Sequence, residues 1–156
     1  WRIGFTACDA AVSKAISSMQ SHATSNPNTI AQYAAQSAYE HEEGEAFLRE
    51  MRESFDRRRK LIMTKLDEIP LLSYVRPDGA FYIFVSVEKV LGKSYDGVKI
   101  NSALDFANIL LDKKDVTVIP CESFGADGYI RLSYAISDED IVKGVERIGE
   151  FIAHTN

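Results

Sequence analysis

Two cysteines, four prolines and one tryptophan in 156 residues exclude several kinds of protein at once. Cys8 and Cys121 lie far apart and match no zinc-ligand or redox spacing, so neither a zinc module nor a disulfide framework is expected. Two thiols without a framework fit the reducing cytoplasm, which is the expected location. His22, His41 and His154 stand in separate polar contexts and read as surface residues, with no metal site among them. Long apolar runs are missing too. No stretch approaches the ~18 residues a membrane helix needs, and the first residues lack the basic-then-apolar layout of a secretory signal. Positive charge is also in short supply: the net charge is -5 and the pI near 5.2, which argues against a nucleic-acid-binding surface. The one dense basic run, Arg57-Arg58-Arg59-Lys60, follows an acidic stretch from Glu40 to Glu53 and reads as part of a solvated helix face. No internal repeat and no low-complexity segment is present.

What remains is the composition of a globular protein, 46% hydrophobic and 26% charged, long enough to bury a core without metal or disulfide support. The chain opens at Trp1, with no initiator methionine and inside a strand-like pattern, so the expectation is a piece of a longer protein.

The apolar pattern predicts elements in order. Trp1 to Phe5 alternates as a strand does. A helix is predicted from about Asp9, placed to cap it, to His22, with Val12, Ile16 and Met19 at helical spacing. The Ala23-Thr24-Ser25-Asn26-Pro27-Asn28 stretch reads as a turn, and a second helix is predicted from Thr29 to about Tyr39. Phe47, Met51, Phe55, Ile62, Leu66 and Ile69 then fall at steps of three, four or seven, predicting one long helix from about Glu43 to Glu68. Its length suits a connector between lobes. Strands are predicted at Leu71 to Val75 and Ala80 to Val87, with a loop over Ser86 to Lys99. A helix follows from Ser102 to about Lys113, with Leu104, Ala107, Leu110 and Leu111 facing inward. Val116 to Ile119 and Tyr129 to Tyr134 are the last predicted strands. Ser137 with Asp140 has the form of a capping box opening a final helix, along which Ile141, Val145, Ile148 and Ile152 make one apolar stripe. Together these predict an α/β or α+β domain with an N-terminal extension.

Alternation in the last strand puts Ile130, Leu132 and Tyr134 on one face and Tyr129, Arg131 and Ser133 on the other. If the apolar face packs inward, Arg131 points at a cleft or at water. A guanidinium meets a carboxylate with two parallel hydrogen bonds, so Arg131 is a candidate anion-binding residue; an ordinary exposed arginine on a half-buried sheet is the alternative.

Several stretches resemble, in order and over nearly the whole chain, the class I and II aminotransferases, the fold-type I family of pyridoxal-phosphate enzymes. They are Trp1-Arg2-Ile3-Gly4-Phe5, Ser25-Asn26-Pro27 with Ile30-Ala31-Gln32, Phe55 with Arg57-Arg58-Arg59, and Pro77-Asp78-Gly79-Ala80-Phe81-Tyr82. Val118-Ile119-Pro120 through Phe124-Gly125 and Tyr129-Ile130-Arg131-Leu132-Ser133-Tyr134-Ala135 complete the set. The subgroup most similar is the bacterial-type aspartate aminotransferases. The resemblance implies the C-terminal part of such an enzyme: residues 1–40 a helical remnant of the large cofactor-binding domain, 41–70 a long connecting helix, and 71–156 the small domain, a sheet with packed helices.

The resemblance also implies roles. It assigns Arg2 to the phosphate of pyridoxal 5'-phosphate, against the plainer reading of a charge at a strand end. It assigns Arg131 to the substrate α-carboxylate. Asn26 falls in a segment near the subunit interface of a homodimer, or is a plain turn residue. Phe124-Gly125 either shapes a loop near the substrate or serves a structural turn. The Schiff-base lysine lies upstream of Trp1, so no lysine of this chain is assigned catalysis and the chain alone is expected to be inactive. The implied substrates are an amino acid, aspartate or similar, and a 2-oxo acid, with no nucleic acid and no membrane as partner. Carbon–sulfur β-lyases and aminotransferase-like sensing domains of transcription regulators share the scaffold and stay open at this point. One departure is Pro120-Cys121, where the family commonly has Pro-Gly; cysteine tolerates fewer backbone angles, so this loop is expected to bend differently. No basic partner near Cys121 is evident, so it is not expected to be a nucleophile.

Overall fold

The computed structural model describes residues 2–156, which fall into two compact units divided between Glu50 and Met51. The division lies inside the long helix rather than at the predicted positions 40 and 70. The reason is packing: Ile62 and Leu66, in the second half of that helix, belong to the core of the second unit.

In the first unit, residues 2–9 form no regular element. The predicted strand is therefore not made over residues 2–5, and Trp1 lies outside the described residues. A strand is stable only when its backbone groups find a partner strand, and among the described residues no strand is paired with these. Helix α1 (Ala10–Thr24) starts where Asp9 was expected to cap it, but the Asp9 side chain makes no capping bond; its carbonyl instead accepts from the Ser13 N–H at 2.9 Å. The true side-chain cap belongs to Asn28, whose Oδ1 accepts from the Ala31 N–H at 3.0 Å and opens α2 (Thr29–Glu40). The helix predicted from the spacing of Val12, Ile16 and Met19 is formed, with all three exposed, and Ala31 is the one buried apolar residue of this unit among the described residues.

Helix α3 (Gly44–Asp67) leads into the second unit. Four strands, β1 (Ser73–Val75), β2 (Tyr82–Ser86), β5 (Ile119–Pro120) and β6 (Tyr129–Ser133), make an antiparallel sheet in the order β1-β2-β6-β5. Its inner face carries Ile83, Val85, Ile130 and Leu132. These join Phe106 and Leu110 of α4 (Ala103–Lys114), the α3 pair and the Ile141, Val145, Ile148, Ile152 stripe of α5 (Asp138–Ala153) in one buried core. The opposite face of β2 and β6 is left to Tyr82, Phe84, Tyr129 and Arg131.

Several expectations need correction. The predicted loop at Ser86 to Lys99 contains a 3-10 turn and a hairpin, β3 (Ser94–Tyr95) with β4 (Val98–Lys99). The signal was there to be read: Asp96-Gly97 is a two-residue turn sequence, and both residues take positive φ, 48° and 81°. In α4 the inward residues are Ala103, Phe106, Ala107 and Leu110, while Leu104 and Leu111 are 51% and 48% exposed; the buried face is turned from the one the leucines marked. The predicted strand at Val116 shrinks to Ile119–Pro120, since proline cannot donate to a ladder and confines pairing to one short edge.

The basic run is not simply solvated. Arg59, with its side chain 15% exposed, donates from Nη2 to Asp56 at 2.7 Å and from Nη1 to the Pro77 carbonyl at 3.2 Å. Arg57 and Arg58 both reach Asp138, at 3.2 and 3.1 Å, in the first turn of α5. These bonds hold the Asp138 carboxyl below its ordinary pKa, Arg57 first and Arg58 second. Because the folded-state value is depressed, the stabilisation is present above the unfolded value of about 3.9 and is lost as pH falls through the folded value. In Asp138→Asn, denaturant titrations should therefore show a stability deficit at pH 7 that closes as pH drops below about 4. A deficit of constant size down to pH 2 would mean the carboxylate charge is not what joins α3 to α5.

Candidate functional site

Arg131 occupies the second inner strand of the sheet, opposite Phe84 on β2 and Ile119 on β5. The predicted alternation holds: Ile130 and Leu132 are buried, and Arg131 and Tyr129 sit on the other face, half-buried. The guanidinium lies over the Tyr82 ring at 4.4 Å from its centroid and 5.1 Å from that of Phe124. Phe84 and Tyr129 stack beside it, 4.7 Å apart. No carboxylate pairs with Arg131 among the described residues, and its Nε is buried with no hydrogen-bond partner. Proteins seldom leave a buried polar atom or a charge unmatched, because desolvation then goes uncompensated. A guanidinium held between aromatic faces without a protein counter-ion is a ready anion site, and the low-dielectric surroundings strengthen its pull on a carboxylate.

Two local structures aim the aromatic groups. Before Tyr82, the 76–81 segment is fixed at three points. Arg59 holds the Pro77 carbonyl. The buried Tyr134 donates its hydroxyl to the Ala80 carbonyl at 3.0 Å and its backbone N–H to the Phe81 carbonyl at 2.9 Å. Ala80 takes φ 59°, an uncommon left-handed conformation for a residue with a Cβ, and these bonds hold it there. Before Phe124, the Cys121 N–H bonds to the Tyr129 carbonyl of β6 at 2.9 Å, and the Phe124 N–H closes a 3-10 turn onto the Cys121 carbonyl at 2.9 Å. Gly125 ends this turn with φ 78°, where glycine is favoured. Glu122 ties it to α4 by accepting from the Leu104 N–H at 3.0 Å.

Cys121 itself has φ -104° and ψ 7°, angles open to residues with side chains. The cysteine thus needs no unusual backbone at that position. Its thiol is buried, and burial pushes its pKa up more than the nearby Arg131 draws it down, so it is a thiol and not a thiolate nucleophile.

The other predicted residues belong to the first unit. Arg2 is exposed, with φ 64°, in a segment without regular structure. Asn26 is exposed and donates from Nδ2 to the Pro27 carbonyl at 2.8 Å, a turn contact. One exposed guanidinium does not make a phosphate cradle, so the described residues do not by themselves build a site for pyridoxal 5'-phosphate. Tyr82 is the site residue that sequence reasoning left without a role. The strand period sets it on one face with Phe84, but which strand lies beside β2 cannot be read from alternation.

The family model for aminotransferases of class I and II matches residues 1–148. An aspartate aminotransferase of Streptomyces avermitilis is 43% identical over 153 residues, 98% of this chain and 37% of that protein. A probable aspartate/prephenate aminotransferase of Aquifex aeolicus is 41% identical over 95% of this chain and 36% of its own length. Among solved structures, the aspartate aminotransferase of Rhizobium meliloti superposes with a TM-score of 0.81 at 38% identity, over 92% of this chain and 36% of that one. The aromatic aminotransferase of Pyrococcus horikoshii gives 0.83 at 33% identity, over 98% and 39%. With an α/β architecture and these matches, the chain belongs to the class I and II aminotransferase family. It spans about 37% of the length of the curated relatives it matches, and the family implies dependence on pyridoxal 5'-phosphate.

Proposed function

We propose that the protein containing this segment transfers an amino group between an amino acid, aspartate or a similar donor, and a 2-oxo acid, and that Arg131 binds the carboxylate adjacent to the reacting carbon of both. The observation that carries this is the unpaired Arg131 guanidinium between Tyr82 and Phe124. Amino acids and 2-oxo acids have that carboxylate in common, so one fixed cation serves both directions of the exchange. The names of the relatives favour aspartate as donor. The order of the motifs supports placing the segment in the C-terminal part of the enzyme, with Arg2 meeting the cofactor phosphate once the rest of the protein completes the site.

A homodimer is the proposed assembly, with Asn26 near the interface; exposed Phe5, Tyr33 and Tyr39 on the first unit support a covered state for that surface. Two free cysteines, Cys8 exposed, support a reducing compartment, and the cytoplasm is the proposed location. The direct test supplies the full-length protein with pyridoxal 5'-phosphate, aspartate and a five-carbon 2-oxo dicarboxylic acid and follows oxaloacetate. Formation of oxaloacetate with matching amino-acid product is expected. No oxaloacetate from aspartate, together with release of ammonia, pyruvate and a free thiol from an S-substituted cysteine supplied in its place, would overturn the reading in favour of a carbon–sulfur lyase.

A further inference from the structure

We propose that Phe124 is a positioning residue that, with Tyr82, holds the Arg131 guanidinium so that a substrate carboxylate meets its two Nη atoms; this rests on the function proposed above. Both rings lie against the same cation, at 4.4 and 5.1 Å, within the range of cation–π attraction. Nε is sealed from solvent without a partner, and the Nη atoms are not among the buried unpartnered ones. The Nη edge is therefore where an anion can approach.

The two rings are held differently. Tyr82 is built into β2, where it pairs with Ser133 and packs on Phe81 at 4.4 Å. Phe124 is 60% exposed and outside the core, so burial does not account for a phenyl ring there. What fixes it is the turn. The Phe124 and Ala126 N–H groups both bond to the Cys121 carbonyl, at 2.9 and 3.1 Å, and the Gly125 N–H bonds to the Glu122 carbonyl at 3.0 Å. A rigid turn that presents an exposed ring to a cation with no ion-pair partner among the described residues acts on the cation. Arginine has many rotamers, and restricting them before the ligand arrives removes an ordering cost from binding. Such an effect is uniform for every ligand that carries the carboxylate, so it belongs to KM and leaves kcat nearly unchanged.

The experiment uses the full-length protein loaded with its cofactor, in four forms: wild type, Phe124→Leu, Phe124→Tyr and Arg131→Lys. Steady-state kinetics are measured for the amino acid and the 2-oxo acid, with succinate titrated as an unreactive dicarboxylate and thermal midpoints as the folding control. In Phe124→Leu, both KM values and the succinate Kd are expected to rise by about threefold to tenfold, with kcat within about twofold and the midpoint unchanged. Phe124→Tyr keeps the ring face and is expected to stay near wild type. The proposal is overturned if Phe124→Leu matches wild type, or if Phe124→Tyr is as impaired as Phe124→Leu. Should Phe124→Leu lose its fold, replacing Phe124 with difluoro- and trifluorophenylalanine keeps the shape while weakening the ring face. Stepwise weaker succinate binding would then uphold the proposal and unchanged binding would overturn it. An Arg131→Lys form with wild-type KM values would instead refute the underlying assignment of Arg131.

Discussion

Arg131→Leu in the full-length protein is expected to lower kcat/KM for the amino donor by about 30-fold to several thousand-fold, the equivalent of about 2–5 kcal/mol for a desolvated charge pair broken at one partner. Arg131→Lys keeps the charge and loses the two-pronged geometry, so it should fall between leucine and wild type. The same change should cost little in folding. Arg131 forms no ion pair among the described residues and its Nε has no partner, so leucine removes an uncompensated polar atom from a face already lined by Tyr82, Phe84 and Ile119. Urea midpoints equal to or above wild type, together with the loss of activity, would separate a binding residue from a structural one. A variant that loses stability and activity in parallel would show that the guanidinium serves the fold, and the substrate assignment would fall with it.

That separation also shows where sequence reading is strong and where it stops. The alternation in Tyr129 to Tyr134 was enough to place Arg131 on the face opposite the core, because the side-chain period of a strand is a local property. The apolar stripe of α5 and its Ser137 cap were legible for the same reason; Ser137 Oγ accepts from the Asp140 N–H at 3.1 Å and donates to the Asp140 carboxylate at 2.8 Å. What could not be read was pairing across the chain. Nothing near Arg131 in sequence indicates that Tyr82, 49 positions earlier in the numbering, lies beneath its guanidinium; that follows from β2 pairing with β6. The bonds from Arg57 and Arg58 to Asp138 are of the same long-range kind, which is why the basic run read as solvated. In the first unit the limit is different. Val12, Ile16 and Met19 have the spacing of a buried stripe and are exposed, since periodicity marks which face is apolar and not whether anything covers it.

Phe151→Ala should be the most damaging single truncation in the second unit, at about 3–5 kcal/mol for a fully buried phenylalanine. Phe151 is fully buried and stacks on Tyr95 at 4.7 Å while meeting Phe106 edge to face at 5.2 Å, so three aromatic rings from α5, the hairpin and α4 lose their common member. The hairpin strand holding Tyr95 is also joined to the end of the chain, where Ser94 and Asn156 exchange backbone hydrogen bonds at 2.9 and 3.0 Å. That double tie prevents Tyr95 from swinging in to fill the void, and a site that cannot collapse sits at the high end of the cost range. Amide exchange in the full-length protein reads this directly. The Ile83, Val85, Ile130 and Leu132 amides of the buried strands should exchange faster by roughly two to four orders of magnitude where their protection reports opening of this unit. The counterpart Tyr95→Leu, which keeps apolar volume beside Phe151, should cost less than half as much. If Phe151→Ala shifted these amides by less than about tenfold, equivalent to ~1.4 kcal/mol, the hairpin would have to close over the cavity. The tie between Ser94 and Asn156 would then not be rigid in solution.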